Sequence, residues 1–205
     1  MLQYEQELWG KGYSAIAGVD EVGRGCLFGD VVAAAVILPP HLEIDGVDDS
    51  KKLSEKKRDA LYEQILAQCT AWSVAHIDAA KIDEINIKQA ARLAMKLAVE
   101  SLRPEADYLL VDAEKVDSSL PQQAIIKGDA TSQSIAAASI VAKVTRDRLC
   151  QNEWERDYPE YGIAVHKGYA TKLHREKLLL HGPSRLHRQS FLGKIFMEQT
   201  QLELF

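Results

Sequence analysis

Four acidic residues follow apolar runs that are typical of buried strands. They are Asp20 and Glu21 after residues 15–19, Asp112 after 108–111, and Asp129 shortly after 123–126. Loops at the edge of a sheet commonly build functional sites, so we expect these carboxylates to converge. Converging carboxylates raise one another's pKa unless a cation compensates, and all-oxygen ligands suit Mg²⁺ or Mn²⁺. Two such ions can activate water and stabilise the leaving oxygen in phosphodiester cleavage.

A simpler interpretation treats each acid separately. Aspartate is common at strand ends and at helix N-termini, and Asp129 precedes a predicted helix. The adjacent pair Asp20-Glu21 fits this interpretation less well, because two charges at the end of a core strand need partners. The spacing therefore indicates a metal site without naming its substrate.

The tripeptide Gly23-Arg24-Gly25 lies directly beyond the acidic pair. Glycines let the backbone come close to a ligand, and arginine or backbone amides hold a phosphate or a hydroxyl group. Alone, such a tripeptide is most often an ordinary turn. Beside a metal site it becomes a candidate loop for substrate recognition.

The composition is that of a globular protein. The chain has 205 residues, of which 46% are hydrophobic and 27% charged, enough for one domain with a substantial core. No apolar run reaches the length that spans a bilayer, and residues 1–12 lack a signal peptide's hydrophobic stretch. Three widely spaced cysteines without a CxxC fit a reducing compartment and argue against structural zinc. We expect a cytoplasmic protein with no membrane partner.

Basic residues are concentrated in one part of the sequence. Residues 163–194 contain seven Lys or Arg and one acid, a local net charge of +6 in a chain whose net charge is −5. A basic segment on an acidic body suits binding to a phosphate backbone. The alternative is a solvated helical face.

The elements that must position these residues follow from periodicity. Apolar runs predict strands at 14–19, 31–38, 72–77, 107–111 and 123–126. Helical spacing predicts a helix of about 17 residues from Asn86, a long helix from Ser132, a shorter one over 54–68 and basic helices after Tyr169. An early hairpin followed by alternating strands and helices indicates a mixed sheet covered by helices.

Several blocks of the sequence together resemble bacterial ribonuclease HII. They are GVDEVGRG (18–25), DDSKKLS (48–54), LLVDA (109–113), KGDATSQSIAAASIVAKVTRDR (127–148), YPEYGIAVHKGYATKLH (158–174) and GPSRLHRQSF (182–191). The resemblance implies an α/β, ribonuclease H-like fold, with a mixed five-stranded sheet flanked by helices and a C-terminal helical segment. We predict one catalytic domain over 1–197 and a tail over 198–205.

The resemblance also implies an activity. Members of this family cut the RNA strand of RNA–DNA hybrids and nick DNA 5′ of embedded ribonucleotides, leaving 3′-hydroxyl and 5′-phosphate ends. They need Mg²⁺ or Mn²⁺, and by this resemblance we predict two such ions in the site of this chain. By the same resemblance, the metal-binding and catalytic carboxylates are Asp20, Glu21, Asp112 and Asp129.

Substrate-binding residues are implied in the same way. The Gly23-Arg24-Gly25 loop would contact the 2′-hydroxyl at the RNA–DNA junction, and Tyr169 would pack against that junction. Ser50 and Lys51 would touch the nucleic-acid backbone. These roles are chemically coherent, because the 2′-hydroxyl distinguishes RNA from DNA and aromatic packing tolerates any base.

One segment departs from the family pattern. After the Gly-Arg-Gly tripeptide the family usually continues Pro-Leu-Ala-Gly-Pro, whereas this chain has Cys26-Leu27-Phe28-Gly29-Asp30. Because proline fixes φ, the loss of both prolines predicts a less rigid loop. Asp30 also adds a charge near the site.

Some charged residues and histidines within these blocks have two interpretations. Lys143 and Arg146 could contact phosphate or belong to a solvated helical face. Asp147 is better explained as a helix salt-bridge partner than as a fifth metal ligand. The histidines lack metal-ligand spacing, so we interpret them as structural or phosphate-facing: His166, His174, His181 and His187.

Residues 201–205, with the sequence QLELF, are similar to the peptide by which bacterial replication proteins dock on the DNA sliding clamp. The implied contacts are those of Gln201, Leu202, Leu204 and Phe205. The alternative is the end of an amphipathic helix that folds back on the domain.

The absence of coiled-coil heptads predicts a monomer. Two rival functions remain, a junction resolvase of the same fold and a non-catalytic protein that binds hybrids.

Overall fold

The computed structural model describes the backbone of residues 1–202 and the side chains of residues 1–197. Within this range one mixed sheet has the strand order β3-β2-β1-β4-β5. The strands are β1 (Ile16–Val22), β2 (Val31–Ile37), β3 (Ala71–Ile77), β4 (Tyr108–Asp112) and β5 (Gln122–Ile125). The helices are α1 (Gln3–Trp9), α2 (Glu55–Gln68), α3 (Ala79–Ile85), α4 (Ile87–Glu100), α5 (Gln133–Leu149), α6 (Glu155–Asp157), α7 (Ile163–His166), α8 (Lys172–His181) and α9 (Gln189–Leu202).

The predicted α/β fold with a mixed five-stranded sheet is confirmed. β1 pairs antiparallel with β2, as the expected hairpin, and parallel with β4, which in turn pairs parallel with β5. Predicted and observed strand ends differ by up to three residues, and β1 shows the largest difference. It does not stop at the acids but continues through Asp20 and Glu21, because these residues pair with Ala34 and Ala33 of β2.

Helices cover both faces of the sheet. On one face α4 packs its small residues against β1, β2 and β3; on the other, α5 packs against β1 and β2, and α2 packs against α5. The approach of α5 to β1 is especially close: a Cβ atom on Gly18 would lie 2.0 Å from the carbonyl carbon of Ser134. Glycine is therefore required there, since any side chain would displace α5 from the sheet.

Polar caps define the helix starts. Ser54, Asn86 and Ser132 each accept a hydrogen bond from a backbone N–H in the first turn of α2, α4 and α5 respectively. The predicted helix from Asn86 is 14 residues long rather than about 17. The seven-residue helices α1 and α3 were not predicted, because so few residues show no clear periodicity.

The segment after α5 forms the predicted C-terminal helical region. A π-helical turn, Cys150–Trp154, continues α5 into α6, and α7, α8 and α9 follow. Helix α9 runs continuously across the predicted boundary between residues 197 and 198. Across residues 1–202, no helix combines the length and apolar character needed to cross a membrane.

Candidate active site

Asp20 and Asp112 lie on two adjacent strands, directly after the point where the parallel pairing of β1 and β4 ends. The parallel register pairs Val19 of β1 with Val111 of β4, so each aspartate is the next residue along its strand. Asp20 is buried, and its Oδ1 accepts a hydrogen bond from the Glu21 N–H at 2.7 Å. The two carboxylates therefore come from sequence positions 92 residues apart to the same edge of the sheet.

Glu21 is largely buried and forms an ion pair with a neighbouring arginine. Its side chain is only 10% exposed, and its Oε1 lies 3.1 Å from Nη1 of Arg24 in the Gly-Arg-Gly loop. Among the residues that the structure describes, its buried Oε2 has no hydrogen-bond partner. A buried carboxylate oxygen without a partner is costly, and a bound cation would satisfy it.

Asp129 joins the site from the other side of β4. After β5 the chain turns through Lys127, whose φ of 56° is left-handed, into a 3₁₀ turn over Gly128–Ala130. The Gly128 N–H donates to Oδ1 of Asp112 at 2.7 Å, which ties this turn to β4. Asp129 is buried, and Nζ of Lys51 lies 3.7 Å from its Oδ2.

The carboxylates affect one another electrostatically. Burial, followed by the negative charges of Glu21 and Asp112, raises the pKa of Asp20 well above its usual value. Burial also raises the pKa of Glu21, and Asp112 adds to this effect while Arg24 opposes it. Each charge thus destabilises its neighbours, as expected for carboxylates that converge without a counter-ion.

Lys51 partly compensates this negative charge. Burial raises the pKa of Asp129, and Asp49 and Asp112 raise it further, whereas Lys51 opposes them. Burial lowers the pKa of Lys51, but attraction to Asp129, Asp49, Asp20 and Asp112 outweighs burial and raises it overall. The Lys51 side chain is 80% exposed, so it can move away without unfolding anything.

The donor set fits divalent cations. It consists of carboxylate oxygens, which Mg²⁺ and Mn²⁺ prefer, and it includes the unpartnered Glu21 Oε2. A cleft of about 560 Å³ lies beside Asp112 and Asp129. Among the side chains of residues 1–197, however, no three His, Cys, Asp or Glu lie close enough to form a preformed metal cage. The assignment of the four carboxylates as ligands stays a prediction.

Ser50 supports the site from within the fold. It is 3% exposed, its Oγ lies 3.0 Å from Oγ of Ser139, and Ser139 partly opposes the rise in the pKa of Asp20. The Ser50 hydroxyl is therefore paired inside the protein rather than presented at the surface. Its contact with nucleic acid stays a prediction, and Ser139 on α5 is a site residue that sequence reasoning missed.

Two buried arginines bind the backbone of the loop that follows the Gly-Arg-Gly tripeptide; its lower rigidity stays a prediction. Arg146 is fully buried and donates to the carbonyl oxygens of Phe28 at 2.9 Å and Asp30 at 3.0 Å. Arg188, also fully buried, donates to the carbonyl oxygens of Gly29 at 2.8 Å and Arg24 at 3.1 Å. Two arginines from distant parts of the chain thus bind the backbone of this loop at four carbonyl oxygens.

These contacts also correct the interpretation of the charged residues. Arg146 is neither a phosphate contact nor part of a solvated face, and Arg188 contributes a buried charge rather than an exposed one to the basic segment. The preferred interpretation of Asp147 is confirmed, because Nζ of Lys143 lies 2.7 Å from its Oδ1. Its partner is one helical turn away, a geometry that favours ion pairs.

Tyr169 lies beside the Gly-Arg-Gly loop. Its backbone forms an isolated β-bridge with Cys26, and its side chain is partly exposed. The structure therefore brings Tyr169 against the loop that carries Gly23, Arg24 and Gly25. The predicted clamp peptide is not placed in this way: the side chains of Gln201 and Leu202, and residues 203–205 entirely, lie outside the described residues.

Known proteins resemble this chain along most of its length. The family model described as Ribonuclease HII matches residues 17–194. The Ribonuclease HII of Alkaliphilus metalliredigens (strain QYMF) is 62% identical over 200 residues, which cover 95% of this chain and 98% of the relative.

Solved structures show the same fold. The crystal structure of the ribonuclease H2 from Pyrococcus horikoshii OT3 matches with a TM-score of 0.74 at 25% identity, over 91% of this chain and 99% of that one. The structure of the PCNA:RNase HII complex from Archaeoglobus fulgidus matches with a TM-score of 0.71 at 28% identity, over 85% of this chain and 94% of that one. The chain belongs to the ribonuclease HII family of metal-dependent endoribonucleases, which act on RNA–DNA hybrids.

Proposed function

We propose that this protein hydrolyses the RNA strand of RNA–DNA hybrids and nicks duplex DNA 5′ of embedded ribonucleotides, leaving 3′-hydroxyl and 5′-phosphate ends. The observation that carries the proposal is the meeting of Asp20 and Asp112 at one sheet edge, directly beside the Gly-Arg-Gly loop. This arrangement supports phosphodiester chemistry next to a loop suited to contact a sugar hydroxyl.

The carboxylates of Asp20, Glu21, Asp112 and Asp129 would hold two Mg²⁺ or Mn²⁺ ions. Such a pair supplies an activated water and neutralises the charge that develops on the phosphate. The chain's own contribution is positioning: the Gly128 N–H orients Asp112, and the Glu21 N–H orients Asp20. Lys51 would leave Asp129 when cations bind and turn toward the phosphate backbone, which its exposure permits.

Recognition of the ribose would come from the Gly-Arg-Gly loop and Tyr169. Arg188 and Arg146 bind the backbone around this loop, so its shape is set before substrate arrives. A preorganised loop loses little entropy on binding and can hold the 2′-hydroxyl within hydrogen-bond distance. Tyr169, bridged to Cys26, would pack against the next sugar and read the step from RNA to DNA. Single-ribonucleotide removal of this kind would serve DNA repair and replication.

The test is cleavage of a DNA duplex that carries one ribonucleotide. Wild type, Asp20→Asn and the control Glu100→Gln are compared in Mg²⁺, Mn²⁺ and EDTA; Glu100 is an exposed acid at the end of α4. The expected result is a metal-dependent nick 5′ of the ribonucleotide in wild type and control, and none in Asp20→Asn.

Other results would select a rival function. Cleavage of long hybrids alone would mean that the loop and Tyr169 do not read single ribonucleotides. Tight binding of hybrids without metal-dependent turnover would favour the non-catalytic alternative, and cutting of branched DNA without ribonucleotides would favour a resolvase.

We also propose that Gln201, Leu202, Leu204 and Phe205 dock on the DNA sliding clamp, and that the enzyme acts as a monomer. Support for docking is the QLELF sequence and the solved complex of an archaeal RNase HII with PCNA. Deletion of residues 201–205 should abolish capture by immobilised clamp and leave cleavage of short duplexes unchanged. Undiminished capture would contradict docking, and a dimer by light scattering would contradict the monomer.

A further inference from the structure

Three buried histidines, His166, His174 and His187, lie beside the loop that follows the Gly-Arg-Gly tripeptide. His174 of α8 is fully buried and stacks on His166 of α7, with ring centroids 4.1 Å apart and 14° between the planes. His187 is 1% exposed and packs edge-on against Phe28, at 4.9 Å and 87°. Its backbone also forms an isolated β-bridge with Phe28, so the histidines contact the loop that carries the Gly-Arg-Gly tripeptide.

Hydrogen bonds link these rings in one direction. The Ser184 N–H donates to Nδ1 of His187 at 3.0 Å, so this nitrogen carries no proton. A neutral His187 then has its proton on Nε2, which lies 3.2 Å from Nε2 of His174. His174 must accept there and carry its own proton on Nδ1, which lies 2.9 Å from the Tyr169 carbonyl oxygen. The chain of donors therefore runs from Ser184 through His187 and His174 to Tyr169.

The third histidine is fixed in the same way. The Gly168 N–H donates to Nδ1 of His166 at 3.2 Å, which leaves Nε2 to donate to the Tyr161 carbonyl oxygen at 3.0 Å. His166 therefore holds the residue directly before Tyr169. Backbone groups, whose donor and acceptor roles cannot change, thus set the tautomer of every ring in the cluster.

Burial keeps the cluster uncharged at neutral pH. Together with the nearby histidines, burial lowers the pKa of His187 to about 3 and that of His174 to about 4. It also lowers the pKa of His166. A chain of neutral rings with fixed tautomers is rigid, because reversing any one bond would leave two donors or two acceptors facing each other.

We propose that His174 and His187 are positioning residues for ribonucleotide recognition, which hold the Tyr169 backbone beside the Gly-Arg-Gly loop through this directional chain. The inference rests on the proposed role of Tyr169 at the RNA–DNA junction. Both histidines are buried, so a direct contact with substrate is not open to them. They act through the peptide carbonyl of Tyr169 and through the β-bridge of that residue with Cys26.

The tautomers can be measured without any assay of activity. Long-range ¹H–¹⁵N spectra of the histidine rings at neutral pH should show His174 protonated at Nδ1, and His166 and His187 protonated at Nε2. A His174 ring protonated at Nε2, or a charged ring in the cluster, would overturn the proposal. This result holds whether or not the wild type nicks DNA, so failure of the proposed function remains distinguishable.

A matched pair of variants tests the positioning role. In His174→Asn the side-chain amide replaces Nδ1 and keeps a donor toward Tyr169, whereas in His174→Gln the amide replaces Nε2 and the donor is lost. For His174→Gln we expect kcat/KM on the single-ribonucleotide duplex to fall about tenfold, the effect of about one hydrogen bond, with His174→Asn much closer to wild type. Cleavage of a uniform RNA–DNA hybrid should change less, because it presents no junction to read.

A double-mutant cycle with Tyr169→Ala separates positioning from general destabilisation. If His174 acts through Tyr169, adding His174→Gln to Tyr169→Ala should produce no further loss on the single-ribonucleotide duplex. Equal losses by His174→Asn and His174→Gln on both substrates, or full additivity with Tyr169→Ala, would contradict the proposal.

Discussion

The guanidinium group of Arg146 lies directly against Gly23. A Cβ atom built on Gly23 would lie 2.4 Å from Nε of Arg146, and the glycine has a φ of +91°. The first glycine of the Gly-Arg-Gly tripeptide is thus required twice, by its backbone conformation and by the buried arginine behind it. The same arginine donates to the carbonyl oxygen of Lys167 at 2.7 Å, two residues before Tyr169. One side chain of α5 therefore joins both loops proposed to recognise the substrate.

Gly23→Ala should destabilise the protein. A left-handed conformation forced on alanine costs about 1–3 kcal/mol, and the clash with Arg146 adds to it. Gly25→Ala is the matched control, because a Cβ atom there meets nothing within 4 Å. Urea unfolding should show a lower midpoint for Gly23→Ala and a change within about 0.5 kcal/mol for Gly25→Ala. Equal midpoints for the two variants would contradict the requirement.

Arg146→Lys should be strongly destabilising despite conserving charge. A single ammonium group cannot reach the three carbonyl oxygens that the guanidinium binds, and these bonds are buried or partly buried. We expect a loss of more than about 3 kcal/mol in the free energy of unfolding. Arg148→Lys, two residues along α5, replaces an arginine whose side chain is 42% exposed and should cost less than about 1 kcal/mol. Similar losses would show that the buried carbonyl contacts contribute little.

Asp20→Asn should stabilise the metal-free protein at neutral pH. Folding raises the pKa of Asp20, so its stabilising contribution is present below the unfolded pKa and is lost as pH rises through the folded pKa. Removing the charge should raise Tm in EDTA at pH 7 by about 2–4 °C, the shift that 1 kcal/mol produces in a domain of this size. The gain should shrink on acidification and reverse in excess Mn²⁺, which would stabilise wild type selectively.

Asp48→Asn is the control for the direction of the stability change, because the pKa of Asp48 is shifted the opposite way from that of Asp20. The pKa of Asp48 is lowered by the Asp49 N–H and by Lys52, so neutralising it should give no gain in stability. If calorimetry shows an equal rise in Tm for Asp48→Asn and Asp20→Asn, general relief of the net negative charge explains the effect instead.

Glu5→Ala should weaken the attachment of α1 to α5. Oε1 of Glu5 accepts from the Ser132 hydroxyl at 2.6 Å and from the Ser134 N–H at 3.0 Å, at the positive end of α5. Truncation leaves these donors buried, for a loss of about 1–3 kcal/mol. Glu7→Ala on the exposed side of α1 should be nearly neutral. Differential scanning calorimetry of both variants checks the contrast, and equal Tm values would contradict it.

The sequence by itself determined the elements and the candidate chemistry. Alternating and helical periodicity located the five strands and the long helices, because these patterns depend on which face of each segment is buried. Acids after apolar runs indicated a carboxylate site, and β1 and β4 do bring Asp20 and Asp112 to one edge. The long motif blocks indicated the family that the relatives confirm.

Only the tertiary structure decided which charges are buried and what they hold. Arg146 and Arg188 have the same local pattern as solvated basic residues, yet both are fully buried and bind the backbone of the loop that follows the Gly-Arg-Gly tripeptide. Likewise, nothing local distinguishes Ser50 from a surface serine or sets the tautomer of His174. Such properties depend on donors and acceptors from segments far away in the chain, which only the packed fold brings within hydrogen-bond distance.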